Sequence, residues 1–258
     1  MSMILKEQIG KVLFCQINRP EKLNALNREV LEELVAILGE ARINSDIHVV
    51  VLTGTQKAFS VGADIEVFVN TPPEEFASKA SDFHLWDAIR LFPKPLVAAV
   101  HGYVYGGGLE LALCCDLIFA SEDARFASPE IRIGLIPGAG ATQLLSRRLG
   151  KYRALELILT GREFSAEEAW RWGLVNAVYP SEELLSRSME VAEQIAASAM
   201  SALRAAKAAV NYGLSMPLDA AYRYERELFL WCLGTQESRE ILTKFITARQ
   251  QRKGQKRG

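Results

Sequence analysis

Residues 95–140, PLVAAVHGYVYGGGLELALCCDLIFASEDARFASPEIRIGLIPGAG, constrain this chain more than any other stretch. Leu96 to Val100 is a short apolar run after a proline, the pattern of a buried strand. Gly106 to Gly108 then allow a tight turn and close approach by a ligand, because glycine has no side chain. Helical character resumes at Leu109. A glycine turn that opens a helix leaves free N–H groups and a positive dipole end, where negative charge is stabilised. Glu110 stands directly inside that start. Glu130 follows before a second glycine turn, Gly138-Ala139-Gly140. Taken alone, a triple glycine reads equally well as a plain turn. The neighbours of Glu110, namely Leu109, Leu111, Ala112, Leu113 and Cys114, make its helix almost wholly apolar, so the acid is expected to be buried. A buried acid is costly without a purpose.

Three further observations make the pattern specific. Phe59-Ser60-Val61-Gly62-Ala63-Asp64-Ile65 and Arg19-Pro20-Glu21-Lys22-Leu23-Asn24-Ala25-Leu26 precede the central stretch, and SPEIRIGLIPGAG follows GGGLELA within it. In this order and spacing the blocks resemble the crotonase (enoyl-CoA hydratase/isomerase) superfamily, over nearly the whole chain. The resemblance implies an α/β fold, a crotonase-like spiral of repeated ββα units followed by a C-terminal α-helical oligomerisation region. It also implies an acyl-CoA thioester as substrate. Glu110 and Glu130 are then the catalytic pair, the first activating water and the second moving the C2 proton. The backbone N–H groups of Ala63 and Gly107 form the oxyanion hole, and Gly138 positions the water or hydroxyl. Leu23, Ala25, Val61, Asp64, Ile65, Glu66 and Trp86 are expected to contact the CoA or acyl group. Arg19, Lys22 and Lys57 are candidates for its phosphates.

Retention of both acids favours hydration of a 2-enoyl-CoA over double-bond isomerisation, which in this superfamily usually keeps only the second acid. Ala141, Leu144 and Ser128 replace a frequent Gly, Arg and Gln of the hydratase pattern. These changes bear on the acyl chain preferred rather than on the reaction. No P-loop or dinucleotide-type glycine motif follows a suitable strand. No metal, flavin or nucleotide cofactor is expected, coenzyme A being part of the substrate. His48, His84 and His101 lie in no nucleophile motif.

The rest of the chain is consistent with this reading. Strands are expected over 3–9 and 11–18, with a turn at Gly10, and over Val49–Leu52, Leu117–Ala120 and Leu174–Tyr179. A helix starting at Asn24 or Asn27 carries Leu31, Leu34, Val35 and Leu38 at helical spacing. After Pro72-Pro73 a helix from Glu74 is expected to show an apolar side of Phe83, Trp86, Ile89 and Leu91. Beyond Pro180 the composition turns to Ala, Glu, Arg and Leu. Four helices are expected there, starting near Ser181, Ala202, Pro217 and Glu237. The core is therefore assigned to residues 1–195 and the oligomerisation region to 196–258, which the resemblance implies builds a homotrimer or a hexamer.

The net charge of −1 gives no general reason to expect nucleic acid as partner. The basic end, Arg249, Arg252, Lys253, Lys256 and Arg257, reads first as a solvated tail and second as a contact to phosphate or RNA. No run reaches membrane-spanning length and the start lacks a secretory pattern, so a cytoplasmic protein with reduced cysteines is expected.

Overall fold

The structure is a computed structural model and describes residues 2–55, 57–70, 72, 74 and 81–255. It divides into two compact units, Met1–Gln194 and Ile195–Gly258.

The first unit is built on two sheets. Its hairpin β1 (Ile4–Ile9) and β2 (Val12–Ile17) is antiparallel about Gly10. Four strands extend it in parallel: β3 (Val49–Gly54), β5 (Leu96–Val100), β7 (Leu117–Ser121) and β10 (Ala177–Tyr179). Every residue of β3 and β5 is buried. That explains why these strands read as continuous apolar runs rather than alternating ones. The second sheet is made of short strands in the order β4 (Ala58–Ser60), β6 (Tyr103–Tyr105), β8 (Arg125–Ala127) and β9 (Phe164–Ser165). The chain thus leaves β3, β5 and β7 of the large sheet and enters β4, β6 and β8 of the small one, in that order. Each pair is one turn of a spiral, and the small sheet brings the three exits side by side.

Helices cover the large sheet. Helix α1 (Arg28–Ile43) starts where the Asn27 side chain accepts the Val30 N–H at 3.1 Å, and buries Val30, Leu31, Leu34, Ile37, Leu38 and Ala41. Its C-terminal end is closed by a residue that sequence reading passed over. Lys94 is buried, and its ammonium donates to the carbonyls of Ala41 (2.7 Å), Asn44 (2.7 Å) and Ile47 (2.6 Å). A cation is favoured at a helix C-terminus, where carbonyls lack partners. Helix α2 (Ile65–Asn70) follows β4.

The helix expected from Glu74 falls partly outside the described residues. Its described part, α3 (Ser81–Arg90), packs against α1. The apolar side differs from expectation: Leu85, Ile89 and Phe92 are buried, Trp86 is half-buried against the core, and Phe83 and Leu91 are exposed. The spacing 85, 89, 92 follows one helical stripe, which 83 and 91 do not share.

After β6 comes α4 (Gly107–Cys114), and after β8 a 3-10 turn over Glu130–Ile133. Helices α5 (Ala141–Leu149), α6 (Lys151–Thr160) and α7 (Ala166–Arg171) follow, then α8 (Leu184–Ala196).

The second unit holds α9 (Met200–Gly213), α10 (Leu218–Gly234) and α11 (Gln236–Gln255), close to the expected starts. Glu237 ties two of them together: its carboxylate accepts the N–H groups of Met200 (2.9 Å) and Ser201 (3.1 Å) at the open start of α9. Helix α10 buries none of its residues, and Phe229, Leu230, Trp231, Phe245 and Ile246 are exposed. Of the basic tail, Lys256 and Arg257 lie outside the described residues. Among the described residues no helix is long and apolar enough to cross a membrane, and no disulfide joins any of the four cysteines.

Candidate active site

The small sheet sets the site. Strand β4 leads to Gly62 and Ala63, and β6 leads to Gly106 and Gly107. Gly62 has φ 94°, and a Cβ there would stand 2.7 Å from the Tyr105 carbonyl oxygen and 2.8 Å from the Gly107 nitrogen. Only glycine permits both that dihedral and that approach. A Cβ at Gly107 would in turn lie 3.5 Å from the Ala63 nitrogen, so the two backbone segments touch.

Ala63 is held in place by a parallel bridge to Leu26. Leu26 donates to Gly62 O (2.7 Å) and Asp64 donates to Leu26 O (3.0 Å). The bridge uses the residues on either side of Ala63, so the Ala63 N–H takes no part in it and is directed away from Leu26. Gly107 is the first residue of α4, where an N–H has no acceptor one turn earlier in the helix. These two N–H groups are the donors named from the sequence.

Both acids converge beside them. Glu110 is buried in the first turn of α4. Its Oε1 accepts the N–H of Ala139 at 2.7 Å and that of Ala141, the first residue of α5, at 3.0 Å. Burial is the largest influence on this carboxyl and raises its pKa from 4.5 to about 7. The backbone donors oppose the rise, and the nearby Glu130 charge adds to it. Glu130 opens the 3-10 turn after β8 and is half-exposed. Its Oε1 faces Gly106, where a Cβ would lie 3.1 Å away. Its Oε2 accepts the hydroxyl of buried Ser128 at 2.9 Å.

The remaining expected positions fall in two groups. The segment 23–26 is brought against 61–64, with Val61 donating to Leu23 O at 3.2 Å. Leu23 is exposed, Ala25 buried, and Ile65 and Glu66 are exposed at the start of α2. Asn24 anchors this turn: it is fully buried at φ 58° and donates to Thr55 O (3.1 Å) and Ala58 O (2.7 Å). Arg19 is turned inward, donating to Ala25 O at 2.6 Å and pairing with Asp64 at 3.3 Å. Lys22 pairs with Glu66 at 3.0 Å on the surface, and Lys57 is exposed. Trp86 packs on the core from α3. Gly138 is exposed, with open space where a side chain would be.

Sequence reasoning missed the donors to Glu110. Their only signal was the glycine turn that opens α5. A cavity of about 510 Å³ also lies at the junction of α5 and α6, lined by Arg148, Lys151, Arg153 and Trp172 among others. It is at the far end of α5 from Ala141 and contains neither acid.

Residues 7–256 match the family model described as enoyl-CoA hydratase/isomerase, and the chain belongs to that family. It is 40% identical over 246 residues to a probable enoyl-CoA hydratase of Mycobacterium bovis, covering 95% of each chain. It is 39% identical over 250 residues to a short-chain-enoyl-CoA hydratase of Clostridium acetobutylicum, again covering 95% of each. The solved structure of a Geobacillus kaustophilus enoyl-CoA hydratase matches with a TM-score of 0.92 at 38% identity, over 96% of both chains.

Proposed function

We propose that this chain is an enoyl-CoA hydratase, a hydro-lyase that adds water reversibly across the double bond of a 2-enoyl-CoA to give a 3-hydroxyacyl-CoA. The observation that carries the reading is the convergence of Glu110 and Glu130 on the Ala63–Gly107 backbone. The family relation supports it.

The thioester oxygen binds between the N–H groups of Ala63 and Gly107. These polarise the enone and make C3 electrophilic. Water gives a proton to the Glu110 carboxylate as its oxygen bonds to C3. The π pair moves onto the thioester oxygen, where the two fixed donors stabilise the enolate; one such donor is typically worth about 2.7–4 kcal/mol of barrier. The enolate then collapses, and C2 takes a proton from Glu130. Burial suits Glu110 to this work, since a pKa of about 7 makes it a competent base near neutral pH. Gly138 precedes Ala139 and leaves open space beside Glu110's donor turn for the water or hydroxyl.

Coenzyme A runs past Leu23 to Ala25 and Val61 to Glu66, with Trp86 toward the acyl end. Lys22 and Lys57 are exposed cations close to this segment in sequence. The reaction needs no metal or nucleotide, because the carboxylates and N–H groups cover each proton and charge. The second unit assembles the protein as a homotrimer or hexamer, supported by the exposed aromatic and aliphatic side chains of α10 and α11. Replacing Trp231 by Glu is expected to yield a smaller species in sedimentation; unchanged assembly would count against that role.

The direct test is crotonyl-CoA with purified protein and a chelator. Loss of the enone absorbance is expected. A protein inert in that assay that instead forms the enone from a 3-enoyl-CoA is an isomerase, and activity that requires zinc would refute the metal-free scheme.

A further inference from the structure

Gly161 ends α6 in the left-handed region, at φ 59°, and its N–H donates to Leu157 O at 2.9 Å. Such a cap explains a glycine by itself. Gly173, after α7, has a similar φ of 73°, and a Cβ there would meet no described atom within 4 Å. Gly161 differs in its surroundings. It is buried, and a Cβ on it would stand 3.2 Å from Pro129 Cα, 3.3 Å from Ile131 Cγ2 and 3.2 Å from Arg132 Nε. Pro129 and Ile131 are the residues on either side of Glu130. The turn that carries the acid therefore rests on bare backbone at the end of α6.

The Gly161 side of this contact is the firmer one. Arg162 pairs with Glu156 at 2.8 Å and with Glu168 at 3.1 Å. Buried Phe164 pairs with Phe126 of β8 and stacks on its ring at 5.3 Å. The turn Glu130–Ile133, in contrast, buries none of its residues. A methyl group at 161 would overpack the contact, and the turn would have to give by a few tenths of an ångström. The segment cannot move as a whole, because the Gly106 N–H donates to Ala127 O at 2.9 Å and holds the end of β8 to the glycine turn. The displacement falls on the residues after Ala127, which include Glu130, and the Glu130 Oε1 faces Gly106. From this packing we infer that Gly161 is a positioning residue: its missing side chain sets how far Glu130 stands from the Gly106–Gly107 turn, and so from C2 of the bound acyl group. The inference rests on Glu130 as the C2 proton donor. A small misplacement of that group lowers the rate of proton transfer without removing a contact that binds substrate.

The test is steady-state hydration of crotonyl-CoA by purified variants. Gly161→Ala should lower kcat roughly ten-fold and leave KM within about two-fold. Gly173→Ala imposes a similar dihedral strain without the contact and should keep kcat within about two-fold. On a Glu130→Gln background, Gly161→Ala should cost less than about two-fold more, because the group it positions is already disabled. Ile131→Ala loosens the same contact from the other side and leaves the backbone at 161 unchanged. It should lower kcat roughly three-fold or more at unchanged KM, and it decides the matter if Gly161→Ala does not fold. Wild-type kcat in Gly161→Ala or in Ile131→Ala overturns the proposal. So does an equal loss in Gly173→Ala, or an undiminished loss on the Glu130→Gln background. A Glu130→Gln enzyme that hydrates at the wild-type rate overturns instead the role assigned to Glu130, which separates that failure from a failure of Gly161.

Discussion

Glu110→Gln should stabilise the protein at alkaline pH while destroying hydration. Burial raises the Glu110 pKa from 4.5 to about 7 even though Ala139 and Ala141 donate to it. A carboxyl whose pKa is higher in the fold than in the unfolded chain holds its proton more tightly when folded. The contribution to stability is therefore full below about 4.5, falls as pH rises to about 7, and is flat above. The difference of about 2.5 pH units, at about 1.4 kcal/mol each, means that ionised Glu110 costs the fold about 3 kcal/mol. Glutamine keeps the shape and an oxygen for both backbone donors, yet never ionises. At pH 8.5 the variant should be more stable by up to about 3 kcal/mol, a Tm rise of roughly 6–12 °C for a chain of this size. At pH 4.5 both proteins carry a neutral side chain and their Tm values should nearly coincide. Calorimetry at both pH values, at one protein concentration so that assembly is held fixed, reads this directly. An equal shift at both pH values, or a less stable variant at pH 8.5, would refute the claim that desolvation dominates at Glu110.

Glu110→Gln and Glu130→Gln are each expected to lower kcat by about 10²-fold or more, and the double variant should cost far less than their sum in free energy, because either loss disables the unit. Normal hydration by Glu110→Gln beside an inert Glu130→Gln would move the protein to single-acid isomerase chemistry. Gly62→Ala should cut kcat sharply, since its Cβ would collide with Tyr105 O and Gly107 N and spread the donor pair; a variant with wild-type kcat would place the donors elsewhere. Lys94→Met should destabilise by roughly 2–4 kcal/mol, leaving three carbonyls at the end of α1 without their ammonium, with little change in kcat for the protein that remains folded. Urea unfolding and steady-state rates measure both quantities.

The large sheet was legible because burial on both faces makes its strands apolar runs, and α1 because Leu31, Leu34 and Leu38 repeat at helical spacing after Asn27. The small sheet was not. Its strands β4, β6, β8 and β9 span two or three residues each, too few to show alternation, and their pairing is set by tertiary position. Tyr103 to Tyr105 show no period of their own between the apolar run Leu96 to Val100 and the triple glycine. Yet this sheet aligns the Gly62–Ala63 and Gly106–Gly107 segments. The identities of the acids could be read from the sequence, while their partners could not. Ala139 and Ala141 act through backbone N–H groups that any residue but proline carries, so no side chain announces them. Lys94 failed for the opposite reason: a lone lysine before proline looks like surface, and only the fold shows the three carbonyls around it.

The two acids differ in their surroundings. Glu110 is held in the first turn of a buried helix by backbone donors on one oxygen, with apolar neighbours on its own helix. Glu130 sits on a short turn, half-exposed, with a side-chain hydroxyl as its donor. Like charges this close resist joint ionisation, and a symmetric pair would share one proton between two equivalent places. Here the symmetry is broken by construction. Glu110 is buried, whereas Glu130 has a polar partner and access to water. Ala141 of α5 donates to Glu110, and Ser128, the residue after β8, donates to Glu130, so each acid has a partner of its own.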